Sequence, residues 1–207
     1  MSSDFPCYPQ KMGRVIFLGA EEVVGKGGLS SVLRLGSLEQ FIQAYPPATN
    51  DCTFPFETVS SLQTGFELVY GPRGGRGIAL RVGRAVFKHG LKEYGSMLGI
   101  TEMAFRLLPL STKLHNGAKN FAELFNKHTD QKVRVEETED RIFWHIDNCP
   151  LCWERKADEP ICHLAVGLLQ EALYWVSGGK MFNVEETACI ASGDSSCTIS
   201  IDRAPIS

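Results

Sequence analysis

Apolar residues recur at helical spacing through the first two thirds of the chain and at strand spacing through the last third, around one strong helix. Val15, Ile16, Leu18, Val23 and Val24 lie between the glycines of residues 13–25, and Leu29, Val32, Leu33, Leu38 and Phe41 continue the period. Two short helices broken by Gly25-Lys26-Gly27-Gly28 are predicted. The stretch from Tyr45-Pro46-Pro47 to Pro55 is loop by composition. Phe56, Val59, Leu62, Phe66 and Val69 then predict a longer helix ending at Tyr70-Gly71-Pro72. Over residues 77–94, Ile78, Val82, Ala85, Val86 and Leu91 share one helix face, and Arg81, Arg84, Lys88 and Lys92 form a basic stripe on the other. Residues 98–108 and 113–128 supply two more periodic segments, separated by Pro109.

Alternation begins at Lys132-Val-Arg-Val-Glu136 and returns in Arg141-Ile-Phe-Trp-His-Ile146 across a polar turn, which predicts a hairpin with Ile142, Trp144 and Ile146 on one face. After Pro160, the residues Ile161, Leu164, Ala165, Leu168, Ala172, Trp175 and Val176 form one stripe, and Gly178-Gly179 stops that helix. Two strands, at residues 182–190 and 197–202, are joined by Gly193-Asp-Ser-Ser196. The fold class is α+β, with helices packed on a twisted antiparallel sheet. One domain over residues 1–207 is expected, mainly helical over 1–130 and β-rich with a metal site over 131–207.

Composition narrows the function classes. A chain of 207 residues with 43% hydrophobic content buries a full core and gains little from disulfide staples, so its thiols are expected to be free. No run approaches the ~20 apolar residues of a spanning helix, and the Met1-Ser-Ser-Asp-Phe-Pro6 start lacks the features of a signal peptide. A cytoplasmic setting is expected. A net charge of −3 leaves no basic footprint for nucleic acid, and no helix-turn-helix segment is left over.

Five of the seven cysteines fall in the last third: Cys149 and Cys152, Cys162, Cys189 and Cys197. That is metal-site spacing. Cys162 is placed in the first turn of the strong helix, where free N–H groups favour a thiolate. Glu186 and Cys189 lie on the next strand and Cys197 starts its partner, so a hairpin can gather all three. Three thiolates and one carboxylate would saturate a tetrahedral Zn²⁺, as a structural site does. Cys149 and Cys152 are additional or alternative ligands, and an Fe–S cluster is the alternative to zinc. His145 and His163 flank the site and are expected to stay outside the ligand set.

The run Asp147-Asn-Cys-Pro-Leu-Cys152, Cys162, Glu186-Thr-Ala-Cys189, Gly193 and Cys197-Thr-Ile-Ser-Ile201 resembles the 4-vinyl reductase domain, with the match strongest over residues 140–203. The order of elements upstream resembles the single-domain members found in phototrophs. The resemblance implies an α+β fold like that of trafficking-complex subunits, often dimeric. It also implies zinc held by three cysteines and one glutamate, which fall here on Cys162, Glu186, Cys189 and Cys197.

Functionally, the resemblance implies a hydrophobic small-molecule pocket. A chlorophyll-pathway tetrapyrrole is the expected ligand, and the expected role is carrier or chaperone in pigment synthesis or photosystem assembly, peripheral to photosynthetic membranes. The alternatives are a vinyl reductase or a subunit of one, and a dimeric scaffold. Against chemistry, no G-x-G-x-x-G follows a strand, and Gly71-Pro-Arg-Gly-Gly-Arg-Gly77 lacks the Lys-Ser/Thr of a phosphate loop. The expected ligand contacts are Arg81, Arg84 and Trp144, the arginines near the pocket mouth facing a carboxylate tail. The expected partners are this ligand and either a second copy of the chain or proteins of pigment synthesis.

Overall fold

The computed structural model describes residues 5–100 and 103–206. Its order is β1 (Cys7–Pro9), α1 (Gln10–Leu35), β2 (Cys52–Pro55), α2 (Phe56–Leu98), α3 (Met103–Arg106), α4 (Leu110–His128), β3 (Val133–Glu137), β4 (Arg141–Ile146), α5 (His163–Ser177), β5 (Phe182–Ala188) and β6 (Cys197–Pro205). The class is α+β, as the periodicity predicts. The main sheet is antiparallel in the order β3-β4-β6-β5, and β1 pairs with β2 in a separate ribbon.

Glycines break both long helical segments. Gly25 (φ 70, ψ 165) and Gly71 (φ 71, ψ 166) leave helical geometry in the positive-φ region that glycine tolerates best. The break at Gly71 is the one expected, but the next helix starts at once with Pro72 instead of near residue 77. Proline fits there because the first helical turn needs no N–H from it. The second part of α1 stops at Leu35, short of Phe41. The segment 98–108 is not one helix: α2 ends at Leu98, Gly99 takes a left-handed cap (φ 65), and only the short α3 follows.

The ribbon was not predicted, because three and four residues are too few for alternation to show. Its antiparallel register brings the Cys7 and Cys52 Cα atoms to 5.6 Å, and the two form a disulfide. The expectation of free thiols therefore holds for five cysteines and fails for these two.

Register assigns the faces of the sheet. Ile142, Trp144 and Ile146 stand opposite Ile201, Ile199 and Cys197, and Val184 and Glu186 pair with Ile201 and Ile199. This face is buried. Helix α4 lies across it, with Phe121 and Phe125 ring centres 5.6 and 6.4 Å from Trp144.

Helix α5 covers the rest by locking against the second part of α2. A methyl group at Gly83 would overlap the Leu164 carbonyl, and one at Gly167 would overlap the Leu80 carbonyl. The reciprocal glycines let two backbones touch, which fixes where α5 starts. Gly83→Ala or Gly167→Ala must separate the helices, so each is expected to lower unfolding stability by about 3 kcal/mol or more, at the upper end for overpacking. Chemical denaturation checks this. Wild-type stability in both variants would show the contact to be looser than drawn here.

Candidate functional site

Strand alternation along β5 turns Phe182, Val184 and Glu186 inward, so the chain puts a carboxylate where its pattern calls for an apolar side chain. Glu186 is 9% exposed. Its Oε2 accepts a hydrogen bond from the Cys162 amide at 2.7 Å, while Oε1 is buried without a partner among the described residues. Burial pushes the carboxyl up to about 8, and the nearby Cys189 adds to the shift.

Five buried thiols surround this carboxylate. Cys162 is the residue that caps α5, its carbonyl accepting from the Ala165 amide, and so stands just before the first turn where the sequence placed it. Cys189 follows β5 and Cys197 opens β6. Cys149 and Cys152 come from the loop after β4, held on α2 by the Ser60 hydroxyl donating to the Trp153 carbonyl at 2.9 Å and by the Arg155–Glu67 ion pair at 2.6 Å.

The closest sulfur pairs are 3.4 Å (Cys152–Cys197), 3.6 Å (Cys149–Cys162) and 3.7 Å (Cys162–Cys197), and Cys189 is 3.8 Å from Cys162 and from Cys197. Ligand atoms of Cys162, Glu186, Cys189 and Cys197 all lie within 4.8 Å of one another, and so do those of Cys149, Cys152, Cys162 and Cys197. So many buried acidic groups are tolerable only protonated or around a cation. The donor set and the orphaned Oε1 fit a thiophilic divalent ion.

His145 and His163 belong to neither group. His145 instead meets the Thr198 hydroxyl at 2.9 Å.

Beside the cluster lies a cavity of about 80 Å³, walled by α1, α2, α4, α5 and β4 and lined almost wholly by apolar side chains. Trp144 lines it, as expected, but Arg81 and Arg84 do not. Arg84 donates to Gln170 Oε1 at 2.7 Å, because the basic stripe of α2 faces polar groups of α5.

Leu151, between Cys149 and Cys152, forms part of the wall, and Leu164 and Ala165 extend it from the start of α5. Cluster and cavity share these segments. The polar groups of the cavity were not foreseen, since they come from separate segments with no common motif. The Tyr8 hydroxyl is joined to Gln131 Oε1. The Tyr94 hydroxyl is buried with no partner among the described residues, and burial pushes it up to about 12.

Fold and site together define an α+β domain with a buried thiol cluster forming one side of an apolar cavity. Residues 142–203 match the family model of the 4-vinyl reductase domain, which covers the cysteine run from Cys149 to Cys197. No curated protein sequence matches the chain.

Among solved structures, an H-NOX protein from S. oneidensis in the Fe(II)NO ligation state is similar over 94% of this chain and 99% of its own, with TM-score 0.61 and 11% identity. A structure concerned with heme redox potential and protein-induced porphyrin distortion is similar over 92% of this chain and 95% of its own, with TM-score 0.56 and 14% identity. The phenol-responsive sensory domain of the transcription activator PoxR, with phenol, is similar over 69% of this chain and 71% of its own, with TM-score 0.51 and 13% identity. At these identities the likeness is one of fold.

A heme does not fit the residues present. The cavity wall has no histidine or cysteine to bind its iron. Its volume also falls well below the ~300–1,000 Å³ of ordinary ligand pockets. Among the described residues no helix is long and apolar enough to cross a membrane.

The buried acid gives a pH signature in metal-free protein. Folded Glu186 keeps its proton to about 8, whereas an ordinary carboxyl releases it near 4.5, so the contribution of this group is lost as pH rises through that window. Glu186→Gln cannot ionise. The metal-free variant is expected to lose less melting temperature than the metal-free parent between pH values of about 5 and about 8. An equal fall in both would contradict the buried-acid assignment.

Proposed function

We propose that this chain binds a small, mostly apolar molecule of about one aromatic ring bearing a hydroxyl, in the cavity beside the thiol cluster. The single observation that carries this reading is an apolar cavity of about 80 Å³ whose lining includes the buried, unpaired Tyr94 hydroxyl. Apolar cavities of ~150 Å³ take up benzene, so the size suits one ring or less. A ligand hydroxyl would complete the hydrogen bonding of Tyr94, and an unsatisfied buried hydroxyl is costly to leave. The PoxR sensory domain, which shares the fold, is phenol-responsive and was solved with phenol.

In this reading a metal ion is the structural clamp of the site. Cys162, Glu186, Cys189 and Cys197 hold it, with zinc ahead of iron because three thiolates and a carboxylate close a tetrahedron. The ion organises the α5 start and the β5-β6 connection, and it carries no chemistry of its own toward the ligand. Binding of this kind serves sensing or carriage.

A chlorophyll-pathway tetrapyrrole, and with it a role in pigment synthesis or photosystem assembly, asks for several times the space present. That occupant requires α2 and α4 to move apart. A monocyclic ligand requires no movement of the backbone.

Titration with phenol, followed by the fluorescence of Trp144 and by calorimetry, tests the ligand class. Saturable binding is expected, and Tyr94→Phe should weaken phenol by roughly 2- to 12-fold, the value of one hydrogen bond, while leaving toluene unchanged. Equal phenol affinity in the variant removes Tyr94 from the site. Binding of a tetrapyrrole acid without phenol binding overturns the ligand class itself. For the clamp, Cys189→Ser is expected to lose metal and to melt well below the parent, and an unchanged melting curve would contradict it.

A further inference from the structure

The cysteine cluster offers six ligating side chains, and one tetrahedral ion uses only four. The two four-membered groups, Cys149-Cys152-Cys162-Cys197 and Cys162-Glu186-Cys189-Cys197, share Cys162 and Cys197. We propose that the cluster holds two divalent metal ions, most simply two Zn²⁺, bridged by the Cys162 and Cys197 thiolates. Cys149 and Cys152 complete the shell of one ion, and Cys189 and Glu186 complete that of the other. This rests on the metal-clamp reading above and adds to it a second ion and a role for every ligand.

The spacing matches two tetrahedra joined along an edge. A Zn–S bond of ~2.3 Å gives a tetrahedron edge of ~3.8 Å. The shared edge, Cys162 to Cys197, is 3.7 Å, and the flanking contacts run from 3.4 Å at Cys152–Cys197 to 3.8 Å at Cys162–Cys189. Centres sharing such an edge lie roughly 3 Å apart.

Either single-ion arrangement leaves a buried remainder. With one ion at the glutamate group, Cys149 and Cys152, each 2% exposed, are packed against liganded sulfurs with nothing to bind. With one ion at the four-cysteine group, Glu186 Oε1 stays buried and unpartnered beside Cys189. Two ions employ all six groups, and each shell is closed.

Charge also favours the pair. Five thiolates and a carboxylate carry −6, which two divalent ions reduce to −2, and the α5 N-terminus, whose cap is Cys162, adds a favourable dipole. An Fe–S cluster of two irons would need sulfides at the bridging positions that the Cys162 and Cys197 sulfurs occupy.

The test uses the full chain purified without chelator and dialysed to remove loosely held metal. Metal analysis and native mass spectrometry count the ions, and zinc X-ray absorption reports their neighbours. Two zinc ions per chain with a zinc–zinc shell at roughly 3 Å are expected. The double variant Cys149→Ser with Cys152→Ser should keep one ion and lose that shell, with native mass spectrometry confirming a folded charge distribution.

One ion per chain in the wild type overturns the pair and leaves the single clamp standing. Two ions without a metal–metal shell overturn the bridge. No metal, or iron with labile sulfide, overturns both the pair and the zinc clamp.

Discussion

Six groups that each favour a cation are buried in one small volume between α5, the β5-β6 connection and the loop after β4. Five are thiols and one is the Glu186 carboxylate, whose Oε1 has no partner among the described residues. Without a cation the interior tolerates them only by holding protons, as the raised carboxyl of Glu186 shows. Everything that shapes the cavity wall on this side is attached to that cluster. Leu151 sits between two of the thiols, and Leu164 and Ala165 directly follow a third.

The opposite constraint comes from the helices. Reciprocal close approach at Gly83 and Gly167 fixes the height at which α5 crosses α2, and so sets where Cys162 stands relative to β5 and β6. Sheet register then supplies the other ligands: the inward alternation of β5 carries Glu186 into the buried face, and the first residue of β6 is Cys197. The cavity is the space left where α1, α2 and α4 bridge these two fixed points.

The cluster and the sheet were legible in the sequence because their signals are local. Cys149-x-x-Cys152 and Glu186-x-x-Cys189 carry their spacing with them, and alternation over five to seven residues marks β3, β4 and β5. The breaks at Gly25 and Gly71 were legible for the same reason. What could not be read depends on tertiary contact. Tyr8, Tyr94 and Gln131 reach the cavity from β1, α2 and the turn before β3, and no spacing relates them. The Cys7–Cys52 disulfide spans 45 residues and exists only because a ribbon too short to predict aligns its ends. Arg84 looked free on a basic stripe until α5 placed Gln170 against it.

Coupling between the cluster and the cavity is what makes one site of the two features. The most direct measurement compares phenol affinity, by calorimetry, in metal-loaded protein and in the same protein after chelation, at a temperature where circular dichroism shows both still folded. Removal of the metal should free the Leu151 loop and the start of α5 and weaken phenol by roughly tenfold or more. Equal affinity in the two forms, with the metal loss verified, would contradict the coupling and leave the cluster and the cavity as independent features of the fold.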